Sequence, residues 1–214
     1  MGGGLIMPIT IAGSGTITGI SAGGLPDASV NTEDLNAGTA SSGQSLVASG
    51  ATGAMTWGSS IVSGTAQNST SGTSIDFTGI PSWVKRVTVM FNGVSTNGNS
   101  KIIVRIGTGG TPTASGYSAQ SSVVYSSIAT SAETSGFPAY YDFNTYAITG
   151  SMIIQNITGN TWVMNGCGSN STGTAFNWIS GGVVTLSGVL NMLRITTLNG
   201  TDTFDAGSIN IMWE

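Results

Sequence analysis

Alternation of apolar and polar residues with a period of two is the feature that most restricts what this chain can fold into. In the segment 101–106, alternation separates Ile102, Val104 and Ile106 from Lys101 and Arg105. Such a pattern puts successive side chains on opposite faces of a β-strand. No segment sustains a period of 3.6 residues, so the sequence predicts an all-β protein without a long amphipathic helix.

The same pattern recurs through the last two thirds of the chain. It predicts a strand with Trp83, Val87, Val89 and Phe91 on one face, and a final strand with Ile209, Ile211 and Trp213 on one face. Further strand candidates are 120–127, 140–148, 152–157, 161–167, 182–186 and 189–197.

Turn signals separate these candidates. Asn199-Gly200 is typical of a two-residue hairpin turn, and Thr158-Gly159-Asn160 suits a three-residue hairpin loop. Roughly nine short strands, with turns about every 8–12 residues, are typical of a β-sandwich. We therefore predict that residues 73–214 form an antiparallel, jelly-roll-like β-sandwich.

Residues 1–72 have a different composition. They contain three acidic residues, no basic residue and one aromatic residue, Trp57. Their short apolar runs, separated by Gly and Ser, cannot close a core within one chain. We predict an extended, Gly/Ser/Thr-rich attachment and oligomerisation segment that intertwines with identical chains; a disordered linker is the alternative. The run from Ser29 to Leu35 predicts one helical turn.

The low charge of the chain restricts its partners. Only 7% of the 214 residues are charged, and the formal net charge is −4. An acidic chain with so few basic residues is not expected to bind nucleic acid. No segment has the features of a signal peptide or about 18 uninterrupted apolar residues, so we expect no membrane insertion.

The residues that most enzymes use are scarce. The chain contains no histidine, which excludes Ser-His-Asp and Cys-His catalysis and histidine metal sites. The single cysteine, Cys167, lies in a strand candidate and is expected to be a small buried residue. No cofactor-binding motif is present, so we expect no cofactor, no metal and no enzymatic activity.

Carboxylates leave two alternatives open. A pair among Asp76, Glu133, Asp142, Asp202 and Asp205 could hydrolyse a glycan, but no spacing selects a pair. Asp202 and Asp205 could also bind calcium, although a turn in which Asp caps backbone amides is favoured.

Two clusters of aromatic residues are the better candidates for a binding site. Tyr140 and Tyr141 lie beside Asp142, and a polar loop ends at Trp178. Exposed aromatic rings beside polar groups form platforms on which sugars stack, so we assign these four residues to a site that binds a glycan or a protein receptor. The alternative is that the rings fill the sandwich core or a subunit interface.

Two long motifs carry a resemblance to a known group of proteins. The stretch from Ser71 to Ser95, SGTSIDFTGIPSWVKRVTVMFNGVS, resembles the start of the C-terminal β-sandwich domain of bacteriophage and prophage tail-fibre proteins. The stretch from Leu193 to Glu214, LRITTLNGTDTFDAGSINIMWE, is similar to the end of such domains. The resemblance implies a homotrimeric fibre or tail appendage whose C-terminal domain lies at the distal end.

The resemblance implies a structural virion protein. It would be made in the bacterial cytoplasm, join other tail or baseplate proteins, and adsorb without catalysis to a bacterial surface glycan or protein. A capsid-decorating or baseplate-connecting subunit without a receptor is one alternative, and a glycan-cleaving tail enzyme is the other. Residues 1–72 would attach to the virion, and loops of the sandwich would recognise the host.

Overall fold

The computed structural model describes residues 45–49, 54–58, 60–124, 128–139, 146–173 and 175–214. These residues contain strands and no helix, so none of them forms a helix able to cross a membrane. The strands, in chain order, are β1 (Ser45–Ser49), β2 (Ala54–Gly58), β3 (Val62–Ser63), β4 (Gln67–Asn68), β5 (Ser74–Thr78), β6 (Arg86–Thr96), β7 (Ile102–Thr108), β8 (Thr111–Pro112), β9 (Ser118–Val124), β10 (Ile128–Glu133), β11 (Phe137–Pro138), β12 (Ile148–Thr158), β13 (Thr161–Asn170), β14 (Asn177–Thr185), β15 (Met192–Thr197) and β16 (Phe204–Trp213).

The chain divides into two compact units, Met1–Ser60 and Ile61–Glu214. Within the first, β1 and β2 pair antiparallel, from Ser45 opposite Gly58 to Ser49 opposite Ala54. The helical turn predicted at 29–35 lies outside the described residues. The second unit begins at Ile61 rather than at the predicted residue 73, because β3 and β4 both pair with β16 at the other end of the sequence.

Two antiparallel sheets make up the second unit. The large sheet has the order β10-β9-β14-β13-β12-β6-β16-β3, and β4 also pairs with β16. The small sheet has the order β11-β7-β15-β5, and β8 also pairs with β7. This architecture confirms the predicted all-β fold with antiparallel strands.

One hydrophobic core contains side chains from both sheets. Val87, Val89 and Phe91 of β6 are buried in it, as the alternation predicted. The small sheet contributes Val104 of β7 and Ile195 of β15. The inner faces of both sheets contribute to this shared apolar layer, so the domain is a β-sandwich.

Three details differ from the predictions. Trp83 is 54% exposed and precedes β6, because the turn in which Val84 N donates to Pro81 O delays the start of the strand. The hairpin between β12 and β13 has two residues, Gly159 and Asn160, rather than three.

The third difference is that β7 is buried on both faces. Ile103 is fully buried on the face away from the shared core, and a Cβ atom at Gly136 would lie 3.1 Å from its side chain. The segment around Gly136 therefore covers the face of β7 that alternation alone predicted to be polar.

Candidate functional site

The residues predicted to bind a ligand do not form one described site. Tyr140, Tyr141 and Asp142 lie outside the described residues. Trp178 is 0% exposed, and its ring meets Phe91 edge-to-face with 6.4 Å between the ring centroids. The assignment of Trp178 to a ligand platform is therefore wrong, and its indole belongs to the core.

Two glycines on neighbouring strands explain why Trp178 lies inside. Gly168 is the direct partner of both Trp178 and Gly150 in the large sheet. A Cβ atom would lie 2.7 Å from Trp178 Nε1 if added at Gly168, and 3.0 Å from the ring if added at Gly150. The glycines thus leave a recess on the inner face of the sheet that the indole fills.

Asp202 accepts hydrogen bonds from two amide groups of a loop. Its Oδ2 accepts a hydrogen bond from Ser100 N at 2.9 Å, and its Oδ1 accepts one from Asn199 Nδ2 at 2.7 Å. Asp205 instead accepts a hydrogen bond from Ser95 Oγ. The contacts of Asp202 fit the amide-capping alternative. The described residues contain no group of three or more His, Cys, Asp or Glu side chains that could hold a metal.

The carboxylates of Asp76 and Glu133 each form an ion pair with a basic side chain. Arg194 donates from Nε and Nη2 to the two carboxylate oxygens of Asp76, both at 2.6 Å, and these hydrogen bonds raise the pKa of Arg194. Glu133 and Lys101 form a buried ion pair that ties β10 to the start of β7, and Lys101 also donates to Ser131 Oγ at 2.5 Å. These two carboxylates therefore hold strands together.

A cleft of about 500 Å³ opens between the free edge of β5 and the segment that carries β3 and β4. We call it the edge cleft. Six of its lining residues are Ser63, Thr65, Gln67, Phe77, Thr78 and Trp213. The volume falls within the range of about 300–1,000 Å³ that is typical of small-molecule sites.

Two hydrogen bonds fix the walls of the edge cleft. Gly64 N donates to Ile211 O at 2.7 Å, and a Cβ atom at Gly64 would lie only 3.1 Å from the Ile211 side chain. Gln67 Nε2 donates to the main-chain oxygen of Asp76 at 2.7 Å, which bridges the edges of the two sheets. The walls of the cleft are therefore joined by one main-chain hydrogen bond and one hydrogen bond from a side chain to the main chain.

The edge cleft has an apolar floor and a neutral polar rim. Phe77 and Ile211 are buried at the floor, and Trp213 is half-buried beside them. Trp213 Nε1 is buried and has no hydrogen-bond partner among the described residues, so ring carbon atoms form the accessible part of the indole. The hydroxyl-bearing residues of the rim, Ser63, Thr65 and Thr78, are exposed.

A second groove of about 510 Å³ runs over β9 and β14. Its described side chains include Gln120, Ser122 and Ile179, and Tyr117 is the one aromatic residue among the described residues that line it. Tyr117 is buried; its hydroxyl accepts a hydrogen bond from Ile106 N at 2.9 Å, and burial raises its pKa to about 12. The described lining of this groove therefore offers no accessible ring comparable with that of Trp213 in the edge cleft.

The outer face of the large sheet is uncharged from β10 to β12, but it is not uniformly polar. Ile179 is 52% exposed and Ile128 is 71% exposed on this face. Cys167 pairs with Ile179 in register and is also exposed, so the prediction that Cys167 is buried is wrong. This face presents apolar side chains to solvent without a charge between them.

Alternation correctly predicts that Trp213 lies on the inner face of β16, but it does not predict that its ring is accessible. Ile209, Ile211 and Trp213 do share the inner face, but only the first two are fully buried. Trp213 pairs with Val62, at the short outer strand of the sheet, where the core is open.

No protein-family model matches the chain, and comparison with curated proteins and with solved structures likewise gives no match.

Proposed function

We propose that this chain is a structural subunit of a bacteriophage tail fibre that contributes to adsorption by binding the bacterial surface without catalysis. The resemblance of residues 71–95 and 193–214 to tail-fibre domains motivates the proposal. The described unit has an arrangement that suits such a role, because a rigid β-sandwich can support surface loops and clefts that contact a host.

The observation that carries the proposal is the chemistry of the edge cleft. It combines an accessible indole surface of Trp213 with exposed hydroxyl-bearing residues and a fixed amide, that of Gln67. These groups bind ligands through stacking and hydrogen bonds. They do not supply a general acid, a general base or an activated nucleophile.

A glycan-cleaving enzyme receives less support. Glycosidases need two carboxyl groups about 5–10 Å apart that are free to act on a sugar. In the described chain, Asp76 and Glu133 are each bound by a cation, and Glu214 forms an ion pair with Arg86. Asp202 and Asp205 accept hydrogen bonds from loop and strand groups. These contacts favour a structural role for the carboxylates.

The proposed assembly is a homotrimer joined to other tail or baseplate proteins. The uncharged outer face of the large sheet supports self-association, since two copies could meet there without burying an unpaired charge. Exposed Ile179 and Val183 would contribute apolar area to such an interface.

Localisation on the virion tests the proposal. An antibody against residues 61–214, carried on gold particles, should label the tail or its appendages in electron micrographs. Label on the capsid alone would contradict an adsorption role and favour the capsid-decorating alternative. Light scattering of the full chain should give three times 21.5 kDa; a monomer would contradict the trimer.

A further inference from the structure

We propose that the edge cleft is a binding site for a neutral saccharide. The inference rests on the proposed function, because the saccharide would belong to the bacterial surface. It goes further in naming the site, the ligand class and the residues that select the ligand.

The floor of the cleft favours the apolar face of a sugar ring. Trp213 offers carbon atoms rather than its N–H group, since Nε1 is buried. Phe77 and Ile211 continue the apolar surface inward. A pyranose presents C–H groups on one face, and these stack on an aromatic surface while the hydroxyl groups remain at the ring edge.

The rim of the cleft matches those hydroxyl groups. Thr65 and Thr78 carry hydroxyls, each of which can both donate and accept a hydrogen bond. The hydroxyl of Ser63 already donates to Gly64 O and accepts from Asn210 Nδ2, and it can accept one further hydrogen bond. Gln67 is held by its Nε2 group, while its Oε1 receives no hydrogen bond from the described residues and can accept one from a ligand. Donors and acceptors that surround an apolar floor are the pattern expected for a polyhydroxyl ligand.

The charges near the cleft select a neutral ligand. Asp76 contributes its main chain to the cleft wall, but its carboxylate is held in the bidentate pair with Arg194. Glu214, which follows Trp213, is paired with Arg86. Because both acidic groups are paired with arginine, the described residues of the cleft offer no unpaired charge to attract an anionic or a cationic sugar.

The second groove does not have this combination. Among the described residues that line it, the one aromatic ring is that of Tyr117, which is buried and whose hydroxyl is hydrogen-bonded to the main chain of Ile106. The edge cleft is therefore the site at which we expect a sugar to stack.

The test measures binding of the full chain to oligosaccharides by biolayer interferometry. The probes are neutral oligosaccharides of glucose, galactose, mannose and N-acetylglucosamine, and acidic ones that carry uronic acid or phosphate groups. Wild type should bind at least one neutral probe. Trp213→Ala should weaken that binding at least tenfold, which corresponds to about 1.4 kcal/mol.

Two matched controls and a second variant keep the test decisive. Trp83→Ala removes a tryptophan that is exposed outside the cleft and should leave binding unchanged. Thr65→Arg places a long side chain at the rim without touching the core and should also weaken binding at least tenfold. Thr111→Arg makes the same charge change elsewhere on the surface and should have no effect.

The outcomes separate the two proposals. Unchanged binding in both Trp213→Ala and Thr65→Arg, or a preference for acidic probes, overturns the edge cleft as a neutral saccharide site. Binding of wild type to whole host cells but to no saccharide also overturns it, while adsorption stands. Binding to neither cells nor saccharides overturns both proposals.

Discussion

Replacement of Trp178 by alanine should destabilise the sandwich rather than remove a ligand contact. The indole is fully buried, packs edge-to-face on Phe91 and fills the recess left by Gly150 and Gly168. Truncation of a buried tryptophan to alanine costs about 3–5 kcal/mol, since contacts are lost and a cavity remains. We expect a loss within this range in the free energy of unfolding.

The glycines allow the same recess to be tested from its other side. Gly168→Ala would place a methyl group against the rigid main-chain oxygen of Thr149 and 2.7 Å from Trp178 Nε1. Overpacking of this kind costs about 1–3 kcal/mol. Gly181→Ala is the matched control, because its added Cβ atom would approach nothing closer than 3.6 Å. It should be neutral or slightly stabilising.

Urea unfolding of residues 61–214 in the full chain, followed by circular dichroism, measures these differences. The expected order of stability is Gly181→Ala at or above wild type, then Gly168→Ala, then Trp178→Ala. A loss below about 1 kcal/mol in Trp178→Ala would refute the reasoning, because a fully buried indole cannot be removed at so small a cost.

Three further perturbations follow from buried or capped groups. Lys101→Met should lower the free energy of unfolding, measured in urea, by about 3–5 kcal/mol, because it leaves the buried Glu133 carboxylate without its ion-pair partner. Adding Glu133→Leu should restore most of the loss; an equal loss in the single and the double variant would contradict this. Burial raises the pKa of Tyr117 to about 12, so the stability that its neutral form contributes is complete below pH 10 and is lost as pH rises toward 12. Tyr117→Phe should therefore lose less stability than wild type between pH 10 and pH 12. Parallel curves of stability against pH would refute the raised pKa of Tyr117. Asp202→Ala should lower the free energy of unfolding by about 1–2 kcal/mol, because the hydrogen bond from Ser100 N is lost. Added calcium should change the stability of neither wild type nor the variant. Stabilisation of wild type by calcium would overturn the amide-capping account.

Period-two alternation was sufficient to predict the fold class and several strand faces. It also contained information that went unused for Cys167. Because Trp162 and Met164 lie on the inner face of β13, alternation puts Cys167 on the outer face, where it is exposed. The expectation of burial came from the average behaviour of cysteine, and the strand register overrides it.

The position of Trp178 needed more than local pattern. The short hairpin at Gly159-Asn160 and the register shift between Asn156 and Thr158 together set a register in which Gly150 lies opposite Gly168. Trp178 joins that row only through the pairing of β13 with β14. A strand pairing between distant segments therefore decides whether this aromatic residue is a core or a surface residue.

The edge cleft could not be predicted from sequence periodicity, for a different reason. Its outer wall depends on β3 and β4, which have two residues each and exist only because β16 pairs with them. Two-residue strands carry no detectable alternation. The ring of Trp213 could be assigned to the inner face from sequence, but the opening beside it follows from where the sheet ends.

The central claim is that this chain binds a bacterial surface and leaves it chemically intact. The most direct measurement incubates the purified full chain with host cells and quantifies retained protein and newly released reducing ends in the same sample. We predict saturable retention that Thr65→Arg reduces, with no reducing ends above the level of a buffer control. Absence of retention, or release of reducing ends that grows with incubation time, would contradict the claim.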